Sequence, residues 1–291
     1  MTNKETILKT VKFIEDNLKS DISVLDIASE GCYSLYHFIR LFQSITGLSP
    51  KKYLLQRRLT EALFQLRDSD KKVTEIAFDF QFGSHEAFTR IFSKHFGVTP
   101  VKIRNGYSLS SLPLVHPITE EYIYQSEKAR SQPPDIVDLD EKILTGISFF
   151  IRDNVKISSL AKEWGQFMNE LHTIKDYMIE ERFYQVQFWS ENQDLGGLYF
   201  FIGAQVKDVA YISPPFVIKT IPKGKYLKFI HKGLANKVGY TYRYIYNEFL
   251  PETEYRLSQP FNFEYYGEKC LGPDNEQSES EIYIPIDNQD L

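Results

Sequence analysis

Arg40 and Arg90 each sit between two phenylalanines, in Phe38-Ile39-Arg40-Leu41-Phe42 and Phe88-Thr89-Arg90-Ile91-Phe92, fifty residues apart. On an exposed helix face a guanidinium can donate two parallel hydrogen bonds to a guanine edge. Helical spacing sends Phe38, Leu41 and Phe42 inward and leaves Tyr36, Ile39, Arg40 and Gln43 outward. In the second stretch Phe88, Ile91 and Phe92 go inward, and His85, Glu86, Thr89, Arg90 and Ser93 remain. These sets hold guanidinium groups for guanine, a carboxylate that accepts from cytosine, and an isoleucine that packs on a thymine methyl. Lys51, Lys52, Arg57, Arg58, Lys71, Lys72, Lys94, Lys102 and Arg104 could neutralise phosphates, which holds a protein on DNA without selecting sequence. A single surface arginine on a helix pair is usually only that, and a duplicated one can also brace the fold through an acid. The duplication tips the reading towards DNA.

A second constellation lies beyond residue 135. Glu264 stands in Phe263-Glu264-Tyr265-Tyr266, and Trp164, Tyr199, Phe201 and Tyr226 supply further rings. Aromatic faces attract cations, so a carboxylate in such surroundings complements an apolar cation. Taken alone, Glu264 reads as a surface strand carboxylate and most of the rings as sheet core. Other chemistry is not supported. The six histidines form no HxH or HExxH pair, so no metal site is expected. There is no phosphate loop, no GxGxxG and no GxSxG elbow, and no cofactor is expected. Cys32 and Cys270 form no CxxC and read as reduced thiols.

The elements that would carry the arginines repeat. Ser34, Phe38, Arg40, Phe42, Gly47 and Pro50 recur at Ser84, Phe88, Arg90, Phe92, Gly97 and Pro100, and Ile27-Ala28 recurs at Ile76-Ala77. Two copies of one unit are implied, each a short helix, a tight turn and a second helix opened by a serine. Ser49-Pro50 caps a long helix over 50–67 that joins them. Residues 1–106 carry 16 Lys/Arg against 12 Asp/Glu, whereas 107–291 carry 18 against 27, so the basic charge lies with the helical half. Ser108, Ser110, Ser111, Pro113, Pro117, Pro133 and Pro134 mark a connection over 107–134, with room for a short helical piece at 119–129.

After it the pattern turns to strands, at 143–151, 184–189, 198–206, 216–221, 226–231, 261–266 and 281–286, interrupted by helical stretches at 157–179 and 236–249. Gly196-Gly197 reads as a turn. The order strand, helix, strand, strand occurs twice, which predicts an α+β domain over 135–291 with helices on one face of an antiparallel sheet. No apolar run reaches membrane length, and MTNKETILKTVKF offers no apolar signal core, so a cytoplasmic location and no membrane partner are expected.

Ile76-Ala77, Phe82-Gly83-Ser84-His85-Glu86-Ala87-Phe88-Thr89-Arg90-Ile91-Phe92 and Phe96-Gly97-Val98-Thr99-Pro100 resemble the signature of AraC/XylS-type transcription regulators. The stretch from Ile27-Ala28 to Pro50 resembles that family's first helix-turn-helix. The resemblance implies seven helices, reading segments at Ser34–Ser44 and Ser84–His95, and base contacts from Tyr36, Ile39, Arg40, His85, Glu86, Thr89 and Arg90. Gln81 departs from it, standing where the family has glycine, and so does Ile103, where an aromatic is usual. The order Ile221-Pro222-Lys223-Gly224-Lys225-Tyr226, His231-Lys232-Gly233, Phe263-Glu264-Tyr265-Tyr266 and Glu281-Ile282-Tyr283-Ile284-Pro285-Ile286 resembles a GyrI-like effector-binding domain. That likeness implies a ligand cleft between two strand-helix-strand-strand units, with Glu264 as its buried acid.

Three functions are left open. One is a regulator bound to double-stranded DNA, answering to a small apolar or cationic effector and acting with RNA polymerase. The second is a constitutive DNA binder whose second half docks a protein. The third is a hydrolytic second half with Glu264 as base.

Overall fold

The computed structural model describes residues 2–109, 112–152, 160–189, 197–207 and 214–287; Ser110, Ser111 and Gly196 lie outside them. The chain divides into two compact units. One comprises residues 1–128 with Arg243–Pro251, and the other comprises residues 129–242 with 252–291.

The helical unit begins with α1 (Asn3–Asp16), opened by a capping box in which Thr2 and Glu5 satisfy each other's backbone N–H groups. The first helix-turn-helix is α2 (Val24–Glu30) and α3 (Leu35–Thr46); α4 (Pro50–Asp68) follows. The second is α5 (Val73–Asp79) and α6 (His85–Phe96), closed by α7 (Pro100–Arg104). The seven expected helices are present. The internal repeat shows in detail: Phe38, Phe42, Phe88 and Phe92 are fully buried, and Gly47 and Gly97 both end their helices with positive φ, at 77° and 72°.

Residues 107–109 and 112–118 have no regular structure, and α8 (Glu120–Arg130) follows them. This stretch, read as a connection, is held tightly. Arg57 donates to the Val115 carbonyl at 2.7 Å, Thr60 accepts from the Val115 N–H at 3.1 Å, and the Tyr53 hydroxyl accepts from Ile118 N–H at 3.2 Å.

The second unit is an eight-stranded antiparallel sheet of order β1-β6-β8-β7-β3-β4-β2-β5. Its strands are β1 (Asp135–Leu139), β2 (Lys142–Arg152), β3 (Met178–Phe188), β4 (Gly197–Val206), β5 (Val217–Ile221), β6 (Gly224–Lys232), β7 (Phe261–Tyr266) and β8 (Glu279–Ile286). β2-α9-β3-β4 and β6-α10-β7-β8 are the two expected copies, with α9 (Ala161–Glu170) and α10 (Val238–Tyr244) as their helices. The copies join where β3 pairs β7, with Gln185 opposite Glu264.

Two details differ from the sequence reading. Of the helical stretch expected over 157–179, residues 157–159 lie outside the described residues; the rest holds α9 followed by two 3₁₀ turns, and β3 begins at Met178. Phe167, Ile174 and Met178 keep a helical spacing, but all three pack under β4, and Met178 pairs with Val206 as a strand residue. Tertiary pairing overrides the period. The unanticipated β1 is an edge strand carrying two aspartates, anchored to β6 by Lys225–Asp138 at 3.1 Å and Lys228–Asp135 at 3.0 Å.

Candidate nucleic-acid interface and buried carboxylate site

Burying Phe38, Phe42, Phe88 and Phe92 fixes what α3 and α6 show to solvent. On α3, Tyr36 is 72% exposed, and Arg40, one turn on, sets its guanidinium 5.7 Å from the Tyr36 ring centroid. Gln43 is exposed beside them, and Ile39 is half-buried. On α6, Glu86, Arg90 and Lys94 form an exposed row at four-residue spacing, with His85 and Thr89 half-buried. The Thr89 hydroxyl oxygen is buried without a hydrogen-bond partner, as is that of Ser93. Thr89 therefore faces partly inward. Ser84 caps α6 by accepting from the Ala87 N–H at 3.1 Å, so the amino end of that helix is preformed.

Several other basic residues already have partners in the fold, and for the buried Arg57 this corrects the reading as a phosphate ligand. Arg57 is 2% exposed and bound to Glu15 and Glu61. Arg58 donates to the Leu18 and Ser20 carbonyls at 2.9 and 2.7 Å. Arg104 donates to the Leu66 and Lys71 carbonyls, and Lys71 pairs with Asp79 at 2.6 Å. Lys51, Lys72, Lys94 and Lys102 remain exposed. Gln81 has a φ of 64°, in the left-handed region, which accounts for glycine being the residue expected there. Its side chain donates to the Lys19 carbonyl at 2.5 Å, tying the second turn to the end of α1.

In the sheet unit, side chains alternate between faces, and this divides the six expected effector residues. Glu264, Tyr266 and Trp164 come together on the face that α9 covers. Tyr226 and Phe201 lie in the core of the opposite face, and Tyr199 packs on Phe150 with ring centroids 4.8 Å apart. Glu264 is 3% exposed. Its carboxylate accepts from Tyr266 at 2.7 Å, from Tyr242 at 3.1 Å and from the Gln185 amide at 3.0 Å. Gln185 in turn accepts from the Trp164 indole N–H at 3.1 Å, and Trp164 meets Tyr266 edge-on with centroids 5.2 Å apart. Burial pushes the Glu264 carboxyl above the usual carboxylate range, against the pull of its three donors. Sequence reasoning missed Gln185 and Tyr242. Gln185, one of two glutamines in Phe183-Tyr184-Gln185-Val186-Gln187-Phe188, was the available signal.

On the opposite face a groove of about 240 Å³ opens beside Tyr184, Phe263, Tyr265 and Tyr283, with Lys142, Glu180 and Arg182 at its edge. Phe263 and Tyr283 stack with centroids 4.6 Å apart, and the Tyr184 hydroxyl donates to Gln205 at 3.0 Å. Among the described residues no group of histidines, cysteines and acids could hold a metal ion, and no helix is long and apolar enough to cross a membrane.

Two family models match the chain: a helix-turn-helix domain over residues 27–106, and an integron-associated effector binding protein over residues 135–286. The TetD protein of transposon Tn10 from Escherichia coli is 41% identical over 96 residues, covering 33% of this chain and 70% of that protein. The multiple antibiotic resistance protein MarA of Salmonella typhimurium is 34% identical over 119 residues, 40% of this chain and 94% of that protein. Among solved structures, SAV2435 bound to tetraphenylphosphonium superposes with a TM-score of 0.45 and 15% identity, over 53% of this chain and 94% of that one.

Proposed function

The chain belongs to the AraC-type helix-turn-helix regulators and, over residues 135–286, to the integron-associated effector-binding proteins, and from that premise we propose which residues read DNA and which receive the effector. It is a DNA-binding transcription regulator with a C-terminal effector-binding domain.

The reading residues are Tyr36, Ile39, Arg40 and Gln43 on α3 and His85, Glu86, Thr89, Arg90 and Lys94 on α6. Arg40 and Arg90 supply bidentate contacts to guanine, Glu86 accepts from cytosine, and Lys94 neutralises a phosphate. The exposed Tyr36–Arg40 stack supports this. It presents a flat cationic plane to solvent.

The effector is a small apolar cation whose charge is met by Glu264. The observation that carries this is a carboxylate 3% exposed and held by two tyrosine hydroxyls and an amide. Keeping a carboxylate in such a site is costly unless a charge partner comes to it. A cation would take over the role of the hydroxyl donors, with Trp164 and Tyr266 offering their rings. The cation binds the ionised form, so uptake releases a proton wherever the free site is protonated. Effector uptake in turn changes how the helical unit holds DNA and, through it, RNA polymerase at a promoter in the cytoplasm.

One observation favours a second place for the effector, the open aromatic groove on the opposite face. Titration with tetraphenylphosphonium, an apolar monocation, followed by tryptophan fluorescence, separates the two. Glu264→Gln should lower its affinity at least about tenfold, and Tyr265→Ala should leave it within about twofold. The reverse pattern moves the site to the groove. Hydrolysis of an aryl ester offered in parallel, lost in Glu264→Gln, would favour a hydrolytic domain, since a raised carboxyl pKa also suits a general base.

A further inference from the structure

The division between the two units falls on the peptide bond between Tyr242 and Arg243, inside α10. Tyr242 belongs with the sheet and donates to Glu264 and Asn262 at 3.1 and 3.2 Å. Its covalent neighbour and the residues after it belong with the helices. There, Arg243 lays its guanidinium 4.3 Å from the Tyr122 ring centroid and donates to the His116 carbonyl. Asn247 donates to the Leu114 carbonyl at 3.3 Å, and the Tyr122 hydroxyl donates to the buried Glu248 carboxylate.

Residues 114–118 are thus clasped from two sides. Successive carbonyls of an extended chain point in opposite directions. Leu114 and His116 give theirs to Asn247 and Arg243, while Val115 gives its carbonyl to Arg57 and its N–H to Thr60. Arg57 and Thr60 lie on α4, the helix that joins the two helix-turn-helix units and so sets their relative placement. Arg57 also carries the network on to Glu15 of α1.

We propose that the helical segment Tyr242–Glu248 is the relay by which occupancy of the Glu264 site reaches α4 and hence the reading helices. This rests on the reading of Glu264 as the effector's partner. A ligand that takes the place of the Tyr242 hydroxyl at Glu264 displaces the start of this segment. Arg243 and Asn247 then carry the displacement to residues 114–118, and Arg57 and Thr60 carry it to α4. Arg243 is half-buried and holds both the Tyr122 ring and the His116 carbonyl, so a shift of the segment carries these contacts with it. Coupling of this kind needs two arrangements of one element biased from both ends, and the segment has one end in each unit.

The test uses amide hydrogen exchange of the full chain and needs no identified effector. Tyr242→Phe removes one donor from Glu264 while keeping the ring. It should speed exchange of the Val115 and Ile118 amides at least about threefold. In a background of Arg243→Lys with Asn247→Leu, chosen to keep the charge of the first and the bulk of the second, the same substitution should add no further change at those amides. Unchanged Val115 and Ile118 exchange in Tyr242→Phe overturns the relay. So does an equal increase in both backgrounds, which would mean general loosening. Tetraphenylphosphonium binding, measured on the same proteins, reports on the effector reading alone. If the unmodified chain takes up no cation, that reading fails and the exchange data still decide the relay.

Discussion

Arg57 grips Glu15 through both arms of its guanidinium, Nε to the carboxylate at 2.9 and 3.1 Å and Nη2 at 2.7 Å, at a site where the arginine is 2% exposed. Tyr53 donates to the same carboxylate at 2.6 Å. A buried charge left without its partner is expensive. Glu15→Ala should cost about 3 kcal/mol or more in chemical denaturation, and Glu15→Leu with Arg57→Met should recover most of it. A single substitution costing under about 1 kcal/mol would show that Glu61, 2.8 Å from Arg57, suffices alone.

Glu264 gives the sheet unit an unusual response to pH. Its carboxyl is raised in the folded chain, so the folded state holds a proton that the unfolded state has lost. Stability is therefore greatest below the unfolded carboxylate value and falls as pH rises through the interval up to the folded one. Urea midpoints across that interval should fall with pH in the unmodified chain and flatten in Glu264→Gln. Identical slopes in both would mean the carboxyl is not raised.

The helical unit should respond in the opposite sense. Burial lowers both His95 and His116, with Lys52 adding to the effect on the first and Arg243 on the second. A lowered base binds fewer protons folded than unfolded. Stability is thus full above the ordinary histidine value of about 6.5 and is lost as pH falls from there towards the folded values. Helical circular dichroism at fixed urea should drop between about pH 7 and pH 5, and less so in His95→Phe. A flat response would place both rings in water.

Arg40→Ala and Arg90→Ala should each weaken binding to a selected duplex by about 1–3 kcal/mol and relax preference at one base position. Lys94→Ala should weaken all duplexes alike and reduce the salt slope by about one. Equal loss on specific and random DNA for the arginine variants would make them phosphate contacts. The readout is fluorescence anisotropy at two salt concentrations.

The turn at Gln81 offers a test of backbone fit. A β-branched side chain tolerates a φ of 64° poorly, so Gln81→Val should cost about 1–2 kcal/mol, lost bond to Lys19 included. Gln81→Gly should stay within about 1 kcal/mol, since relief of the backbone offsets that bond. Equal effects from both would assign the whole role of Gln81 to its amide.

The helical half was legible because its signals are local and occur twice. Serine caps, glycine stops and phenylalanines at helical spacing sit within fourteen residues of chain, at Ser84, Phe88, Phe92 and Gly97 as at Ser34, Phe38, Phe42 and Gly47. The use made of each arginine was not legible. Arg57 and Arg40 are alike on paper, and only the fold brings Glu15 to one and leaves the other on Tyr36. In the sheet half the strands could be read, but which rings share a face with Glu264 depends on the β3–β7 register and on where α9 and α10 lie. Those are long-range facts. They put Gln185 and Tyr242 beside Glu264 and sent Tyr226 and Phe201 to the other side. The clasp on residues 114–118 joins positions more than a hundred residues apart, and no spacing in the sequence announces it.

The central claim is that one chain reads DNA with α3 and α6 and adjusts that reading to a small ligand. Anisotropy of the full chain on a duplex selected from a random library, against a scrambled duplex, with and without tetraphenylphosphonium, tests it most directly. Preference for the selected duplex that the cation shifts by about tenfold, and that Glu264→Gln leaves unshifted, is the expected result. No preference between the duplexes, or a preference that neither cation nor Glu264→Gln alters, would contradict it.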